Sequence, residues 1–207
     1  MNMKKKIRIL IADDHALMRL GLKSVIGIQH DMEVVGEAED GQAAIAQAAA
    51  LKPDVVIMDL MMPKVGGAEA TKSICEARPE TNVILLTSYG DAADLSRAIL
   101  NGAAGVQMKD APIERLLAAI RDVLSGETAV TPEFLGQCET DLPPLTQKQS
   151  DILESVARGY TNKDIARLFG ITEVGVKKHL RLVFAKLGAA NRSEAVAIAL
   201  RRQLLKA

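Results

Sequence analysis

The first two thirds of the chain alternates short runs of β-branched and apolar residues with stretches of helical periodicity. The runs occupy residues 7–12, 34–35, 55–58, 83–86 and 105–108. The clearest helical stretch follows the last run, where six apolar residues between Ile113 and Leu124 fall on one face of a helix. Parallel strands need crossover connections, which are usually helices, so this alternation predicts a doubly wound α/β domain with a five-stranded parallel sheet.

Length and composition set the broad class of the protein. A chain of 207 residues, 48% of them hydrophobic, fits one or two soluble domains. The two cysteines, Cys75 and Cys138, provide neither a disulfide framework nor a metal-binding spacing, which indicates free thiols in a reducing compartment. No apolar stretch approaches membrane-spanning length. We therefore expect a cytoplasmic protein without a membrane partner.

Charge is unevenly distributed along the chain, although the net charge is zero. Residues 1–126 carry a net charge of −3, residues 127–144 of −4 and residues 145–207 of +7. The middle segment contains Thr-Pro and Pro-Pro and lacks helical periodicity, as is typical of a linker. We predict an N-terminal domain over 1–126, a linker over 127–144 and a basic C-terminal domain over 145–207, for which nucleic acid is the obvious partner.

Five chemically reactive side chains follow the predicted strands. They are Asp13 and Asp14 after the first run, Asp59 after the third, Thr87 after the fourth and Lys109 after the fifth. The carboxyl ends of parallel strands share one edge of the sheet, where ligands bind, so these side chains should meet there. A single aspartate at such a position is more often a turn or helix-cap residue, but five coinciding positions favour a site.

The chemistry of this predicted site is coherent. Converging carboxylates repel one another, and a hard divalent cation with oxygen ligands relieves the repulsion, which makes Mg²⁺ the best fit. With the metal and Lys109 neutralising an incoming phosphoryl group, Asp59 can act as a carboxylate nucleophile and form an acyl phosphate. The Thr87 hydroxyl can donate a hydrogen bond to the transferred group.

Residues 7–126 resemble the receiver domain of response regulators, which has a flavodoxin-like fold. The matching residues are Asp13, Asp14, Asp59 with the following Pro63, Thr87 and Lys109. The resemblance implies that Asp59 accepts a phosphoryl group from a sensor histidine kinase. It also implies that Asp14 and Asp59 bind Mg²⁺ directly, that Asp13 acts mostly through water, and that the backbone carbonyl of Met61 completes the protein ligands.

Enzyme classes fit the sequence less well than a receiver domain does. An aspartyl-nucleophile phosphatase of the haloacid dehalogenase type needs a second aspartate two residues after its nucleophile, where this chain has Met61. The glycines do not have the spacing of a nucleotide-binding loop, and the three histidines, His15, His30 and His179, are too dispersed to suggest a metal site. No catalytic base is evident, so we do not expect an enzyme.

The C-terminal part predicts four short helices. Thr146, Thr161 and Asn191 each stand three residues before a side chain that can complete a capping box, a helix-start signal. One predicted helix ends at Gly170, and the next begins after Thr172. This is the spacing of a helix-turn-helix.

The second of these helices has one basic and one apolar face. Lys177, Lys178 and Arg181 form the basic face, which fits the major groove of DNA. A helical hairpin with a solvated basic face would show the same turn, so the turn alone leaves both interpretations open. Aromatic residues make up only 2% of the chain, which argues against stacking on single strands and favours duplex DNA.

Several segments of this part resemble the LuxR-type helix-turn-helix domain. They are residues 145–146, 159, 162–166, 176–179, 186–188 and 191–192. With the receiver in front, the whole chain resembles the NarL/FixJ class of two-component response regulators. The resemblance implies a phosphorylation-controlled, DNA-binding transcription regulator that forms a homodimer on DNA.

Some residues depart from the LuxR-type pattern. Gln149 stands where that family usually has a glutamate, Gly175 where it usually has a threonine, and Leu182 where an asparagine is common. The lost hydroxyl removes a plausible phosphate contact at the start of the recognition helix. An alternative function is therefore a receiver-containing signalling adaptor that acts through protein contacts, with a degenerate helix-turn-helix.

The receiver part also departs from its family at Val106, three residues before Lys109. Receivers usually carry a Tyr or Phe there, whose ring swings inward on phosphorylation. A valine is short and stiff at χ1, so we predict a weakened switch. Tyr89 is the nearest candidate substitute for the missing ring, and an exposed loop tyrosine is the alternative interpretation of that residue.

Overall fold

The computed structural model describes residues 6–88, 92–125, 129–130 and 144–205. Most of the predicted linker, Cys138 and the candidate switch residue Tyr89 lie outside these ranges. In chain order the first domain contains β1 Ile7–Ala12, α1 Ala16–Gly27, β2 Met32–Ala38, α2 Gly41–Leu51, β3 Val55–Asp59, α3 Gly67–Ala77, β4 Asn82–Thr87, α4 Ala92–Leu100, β5 Gly105–Met108, α5 Ile113–Ser125 and β6 Ala129–Val130.

The strands form one sheet in the order β2-β1-β3-β4-β5-β6, and every pairing is parallel. The predicted doubly wound parallel sheet of five strands is thus confirmed. A two-residue sixth strand, β6, pairs with β5 and lies inside the stretch that the sequence predicts as linker. Two residues are too few to give a periodic signal, which is why the pattern of the sequence does not predict this strand.

Alternate residues of the strands face opposite layers of helices. On one side of the sheet, Ile9, Ile57 and Ile84 pack against α1 and α5. On the other side, Leu10, Val56 and Leu85 pack against α2, α3 and α4. Because both faces are covered, the central strand β3 is buried along its whole length, and its apolar run requires no polar alternation.

The C-terminal domain contains four helices among the described residues, as the sequence predicts. They are α6 Gln147–Ala157, α7 Asn162–Phe169, α8 Glu173–Leu187 and α9 Arg192–Arg201. Capping boxes begin α6 at Thr146 and α7 at Thr161, and the side chain of Asn191 caps α9. Gly170 ends α7 with a left-handed φ of 63°, which a residue without Cβ adopts at little cost, and α8 follows as the second helix of the motif.

The two domains are in contact through α8. Ala185 of α8 is buried in the same apolar cluster as residues of β4 and α4 in the first domain. The remaining apolar side of α8, including Val176, Leu180 and Val183, packs in the core of its own domain. None of the helices described combines the length and the hydropathy that a membrane span requires.

Candidate functional site

The five predicted side chains stand at the carboxyl edge of the sheet. Lys109 Nζ lies 2.8 Å from Asp59 Oδ2 and 2.8 Å from Asp13 Oδ2. Asp59 is the last residue of β3, Thr87 the last of β4, and Lys109 follows the last residue of β5. The structure thus places these groups at the ends of strands, and it brings Asp13, Asp14, Asp59 and Lys109 close together.

Burial controls the electrostatics of this cluster. Asp13 and Asp59 are 1% and 4% exposed. Burial raises the pKa of Asp59, and the contact with Lys109 offsets this only in part. Burial opposes the charge on Lys109, but hydrogen bonds to Asp13 and Asp59 outweigh it and raise the pKa of Lys109. The lysine therefore stays charged beside two carboxylates.

The donor set matches a divalent cation with oxygen ligands. One ligand atom each from Asp13, Asp14, His15 and Asp59 lies within 4.8 Å of the others. Three carboxylates against the single ammonium of Lys109 leave an excess of negative charge, which Mg²⁺ would neutralise. The residues present therefore fit the ion that the receiver domain implies.

The fourth predicted ligand, Met61, is linked to the site through its backbone. Its N–H donates a 3.3 Å hydrogen bond to Asp59 Oδ1. The two oxygens of Asp59 thus have different partners, because Oδ2 accepts from Lys109. Thr87 is buried, and its hydroxyl oxygen has no hydrogen-bond partner within the described part of the chain, so its donor is available for a ligand.

His15 is a residue of this cluster that the sequence reasoning missed. Its Nδ1 lies 2.7 Å from Asp14 Oδ1, and its backbone N–H donates to Asp13 Oδ1 at 2.8 Å. The spacing of the three histidines considers only sites made of histidines and therefore overlooks a histidine among carboxylates. The signal that could have identified His15 is its position directly after the acidic pair.

The basic face of α8 is the second candidate site, and in this structure part of it contacts the first domain. Arg181 donates to the Asn82 side-chain oxygen at 2.6 Å and to the Val123 carbonyl at 3.0 Å. Lys178 donates to the Cys75 carbonyl at 3.3 Å. Duplex DNA cannot reach Arg181 and Lys178 while these contacts persist.

The environment of Arg181 is unusual for a charged side chain. No carboxylate within the described ranges pairs with its guanidinium, whose Nε is buried without a partner there. Burial lowers the pKa of Arg181. A buried charge held only by neutral acceptors costs free energy, so the contact between the domains is weaker than its short hydrogen bonds suggest.

Gln149, a departure from the LuxR-type pattern, has a clear structural role. Its side-chain oxygen accepts from the Thr146 N–H at 3.0 Å and from Lys186 Nζ at 2.9 Å. The capping box of α6 is therefore complete with glutamine. Gly175 likewise donates its N–H to the Thr172 hydroxyl, which caps α8. These two departures leave the helix starts intact.

Two families of known proteins match the two domains. The response regulator receiver domain matches residues 9–121, and the bacterial regulatory proteins of the luxR family match residues 143–199. The chain belongs to the NarL/FixJ family of two-component response regulators. It is a two-component transcription regulator with a receiver and a LuxR-type DNA-binding domain.

Relatives and solved structures agree with this family. The chain is 39% identical to the oxygen regulatory protein NreC of Staphylococcus haemolyticus (strain JCSC1435), over 96% of this response regulator and 99% of NreC. The structure of response regulator ChrA, from a heme-sensing two-component system, is 31% identical and has a TM-score of 0.56, covering 98% and 100% of the two chains. A complex of the response regulator RcsB with DNA is 25% identical, with a TM-score of 0.59 and 95% and 98% coverage.

Proposed function

We propose that Asp59 is the phosphoacceptor of this response regulator, and that a sensor histidine kinase is the phosphodonor. The observation that carries the proposal is the pair of 2.8 Å contacts from Lys109 to Asp13 and Asp59. They set a cation beside a buried carboxylate at the sheet edge where ligands bind.

The transfer is a displacement at phosphorus. An oxygen of Asp59 attacks the phosphorus of a phosphohistidine, the O–P bond forms as the N–P bond breaks, and the leaving imidazole nitrogen takes the electron pair and a solvent proton. Lys109 neutralises charge on the transferred oxygens, and the Thr87 hydroxyl donates to one of them. Mg²⁺, held by Asp13, Asp14, Asp59 and the Met61 carbonyl, would supply further charge neutralisation.

The DNA-binding part of the proposal concerns the basic face of α8. Lys177, Lys178 and Arg181 would contact bases or phosphates in the major groove of duplex DNA, with paired domains of a homodimer on two half-sites. The net charge of +7 on residues 145–207 and the likeness to the RcsB–DNA complex support this role. Because Lys178 and Arg181 contact the receiver here, binding requires that the domains separate.

Phosphorylation would control that separation through a shift of populations. A modification favours the open form only to the extent that it interacts differently with the two forms. The phosphorylated edge lies at the carboxyl end of β4, where Thr87 stands, and Arg181 contacts Asn82 at the amino end of the same strand. Strand β4 therefore links Thr87 at the predicted phosphorylation site to the residue that contacts Arg181.

The experiment is a selection from a random pool of duplex DNA, using the full-length protein with and without beryllofluoride and Mg²⁺. We expect a sequence with repeated half-sites to be enriched, and enriched more strongly with the phosphate mimic. The Asp59→Asn variant is the matched control, which should select equally with and without the mimic. Enrichment that responds to the mimic in this control would contradict the role of Asp59.

The contact that covers part of the α8 basic face is the observation that favours a second candidate function. In a signalling adaptor that acts through protein contacts, the helix-turn-helix would no longer bind DNA. The same selection separates the candidates, because an adaptor would enrich no sequence in either state. Intact helix caps at Thr146 and Thr172 favour the DNA-binding candidate.

We propose the domain boundaries that the sequence predicts, a receiver over 1–126, a linker over 127–144 and a DNA-binding domain over 145–207, except that the two residues of β6 join the receiver. The family matches over 9–121 and 143–199 support them. The pairing of β6 with β5 adds that residues 129–130 belong to the sheet of the receiver. We also propose that the protein acts in the cytoplasm, because regulators of its bacterial family need access to genomic DNA.

A further inference from the structure

The loop that follows the phosphoacceptor, residues 60–66, has an unfavourable backbone conformation at Lys64. Its φ is +64°, one of three left-handed values at non-glycine residues among those described. Such conformations persist only where the surrounding structure holds them, and they concentrate at functional sites. The same loop carries Met61, whose N–H donates to Asp59 Oδ1. Something must therefore fix this loop.

An ion pair from a distant loop provides the restraint. Lys64 Nζ lies 2.5 Å from Oδ2 of Asp40, the N-cap residue of α2. The other carboxylate oxygen of Asp40, Oδ1, accepts from the Ala43 N–H at 2.7 Å. The contact with Lys64 and the cap hydrogen bond lower the pKa of Asp40. The carboxylate is therefore ionised and held on both oxygens.

Close backbone contacts beside this ion pair also restrain the 60–66 loop. A Cβ added at Gly41 would stand 2.2 Å from the Val65 carbonyl oxygen, so only glycine allows the approach of α2 to the loop. At the end of the loop, a Cβ added at Gly67 would stand 2.1 Å from the Asp59 carbonyl oxygen. The 60–66 loop is thus packed in close backbone contact with the start of α2 and the end of β3.

We propose that Asp40 and Lys64 are positioning residues for phosphoryl transfer to Asp59. Their ion pair holds the 60–66 loop in the shape in which the Met61 N–H binds Asp59 Oδ1 and leaves Oδ2 to Lys109. This inference rests on the proposed function of Asp59 as phosphoacceptor. Neither residue touches the transferred group, so their effect on the reaction is through the orientation of the Asp59 carboxylate.

A role limited to global stability would have a different signature. The Lys64 side chain is 67% exposed, although that of Asp40 is 4% exposed, so water screens the lysine end of the pair and its removal should change the free energy of unfolding little. A small displacement of a reacting group, in contrast, changes a reaction rate strongly. The positioning role therefore predicts slower phosphorylation without a matching loss of stability.

The test uses Asp40→Asn, Lys64→Met and the double variant in the full-length protein. Asparagine keeps an oxygen for the Ala43 cap and removes the charge, and methionine keeps most of the lysine stem. Lys23→Met is the control for the loss of a lysine ion pair, because Lys23 of α1 lies 2.6 Å from Glu37 of β2, whose side chain is 32% exposed, compared with 4% for Asp40. Phosphorylation by a small-molecule phosphodonor, Mg²⁺ affinity by calorimetry and Tm without metal are measured for each.

We expect each single variant to be phosphorylated about three- to tenfold more slowly, and the double variant no more slowly than the worse single one, since both remove one interaction. Mg²⁺ binding should weaken in the same variants, while Tm without metal stays close to that of the wild type. Lys23→Met should match the wild type throughout.

The positioning role would be overturned if both single variants were phosphorylated at the wild-type rate. It would also be overturned if the slowing in the double variant equalled the product of the slowing in the two single variants. A drop in metal-free Tm that accounts for the slowing would overturn it as well. These results differ from those expected if Asp59 is not the phosphoacceptor. In that case the wild type would gain no phosphoryl group, or Asp59→Asn would still gain one.

Discussion

Arg181, on the recognition helix α8, donates a 2.6 Å hydrogen bond to the side-chain oxygen of Asn82 at the start of β4. This single contact joins a predicted DNA-binding residue to the strand that carries Thr87 at its other end. The guanidinium has no carboxylate partner within the described residues. Substitutions of Asn82 should therefore either weaken or strengthen the contact between α8 and the receiver, depending on the residue introduced.

Two substitutions of Asn82 should have opposite effects on DNA binding by the unphosphorylated protein. Asn82→Ala removes the acceptor and should tighten binding about three- to tenfold, the size expected when a hydrogen bond to a charged group is lost from the covered form. Asn82→Asp gives the guanidinium a counter-charge and should weaken binding. Fluorescence anisotropy with a labelled duplex measures both, and Ser24→Ala, whose exposed hydroxyl donates to the Leu20 carbonyl within α1, is the control. Shifts of equal sign in the two variants would contradict the role of this contact.

Lys177 should contribute directly to DNA affinity, because it lies on the basic face of α8 without a contact to the receiver among those described here. Lys177→Ala should weaken binding of the beryllofluoride-treated protein and reduce the slope of log affinity against log salt by roughly one unit. Lys72→Ala, an exposed lysine change on the receiver, should leave the slope unchanged. An unchanged slope for Lys177→Ala would favour the adaptor function.

The raised pKa of Asp59 predicts a dependence of stability on pH. Its folded-state pKa lies above the unfolded value, so ionised Asp59 destabilises the fold above the folded-state pKa, and the penalty vanishes below the unfolded value of 3.8. Asp59→Asn should therefore raise Tm at pH 7 without Mg²⁺, by an amount that shrinks as the solution is acidified. Asp122→Asn, at an exposed position on α5, is the control. A Tm of Asp59→Asn below that of the wild type at pH 7 would show that the contact with Lys109 outweighs burial.

Val106 is fully buried and pairs with Leu85 of β4, so it has no room or length to act as a moving ring. We predict that beryllofluoride increases dimer formation and DNA affinity less in the wild type than in Val106→Tyr. In this account, the Arg181 contact determines the DNA affinity of the unphosphorylated protein, and residue 106 determines how much phosphorylation increases that affinity. Overpacking of the larger ring would cost about 1–3 kcal/mol, so the Tm of the variant is measured alongside. A strongly activated wild type, with no gain in Val106→Tyr, would refute the weak switch.

The places of the receiver site residues at the ends of strands follow from periodic features of the sequence. Buried strands such as 55–58 have a continuous apolar pattern, and parallel pairing then requires that Asp13, Asp59 and Lys109 meet at one edge. Helix starts at Thr146 and Thr161 are equally local, since each capping box spans four residues. In both cases the information lies within a few residues or follows from one topological rule.

Contacts between side chains far apart in the sequence could not be predicted in the same way. The pairs Lys64–Asp40 and Arg181–Asn82 join residues 24 and 99 positions apart, and each depends on one side-chain conformation. No periodicity marks such pairs, and a basic helix face has the same pattern whether it meets DNA, water or a receiver domain. The position of α8 on the receiver was therefore outside the reach of sequence reasoning, as was the two-residue strand β6.

The most direct test of the account is the mass of the intact protein after incubation with a small-molecule phosphodonor and Mg²⁺. The account predicts that the wild type gains one phosphoryl group that alkali and hydroxylamine remove, as is characteristic of an acyl phosphate, and that Asp59→Asn gains none. A phosphoryl group retained in Asp59→Asn, or none in the wild type, would contradict the central claim that Asp59 is the phosphoacceptor.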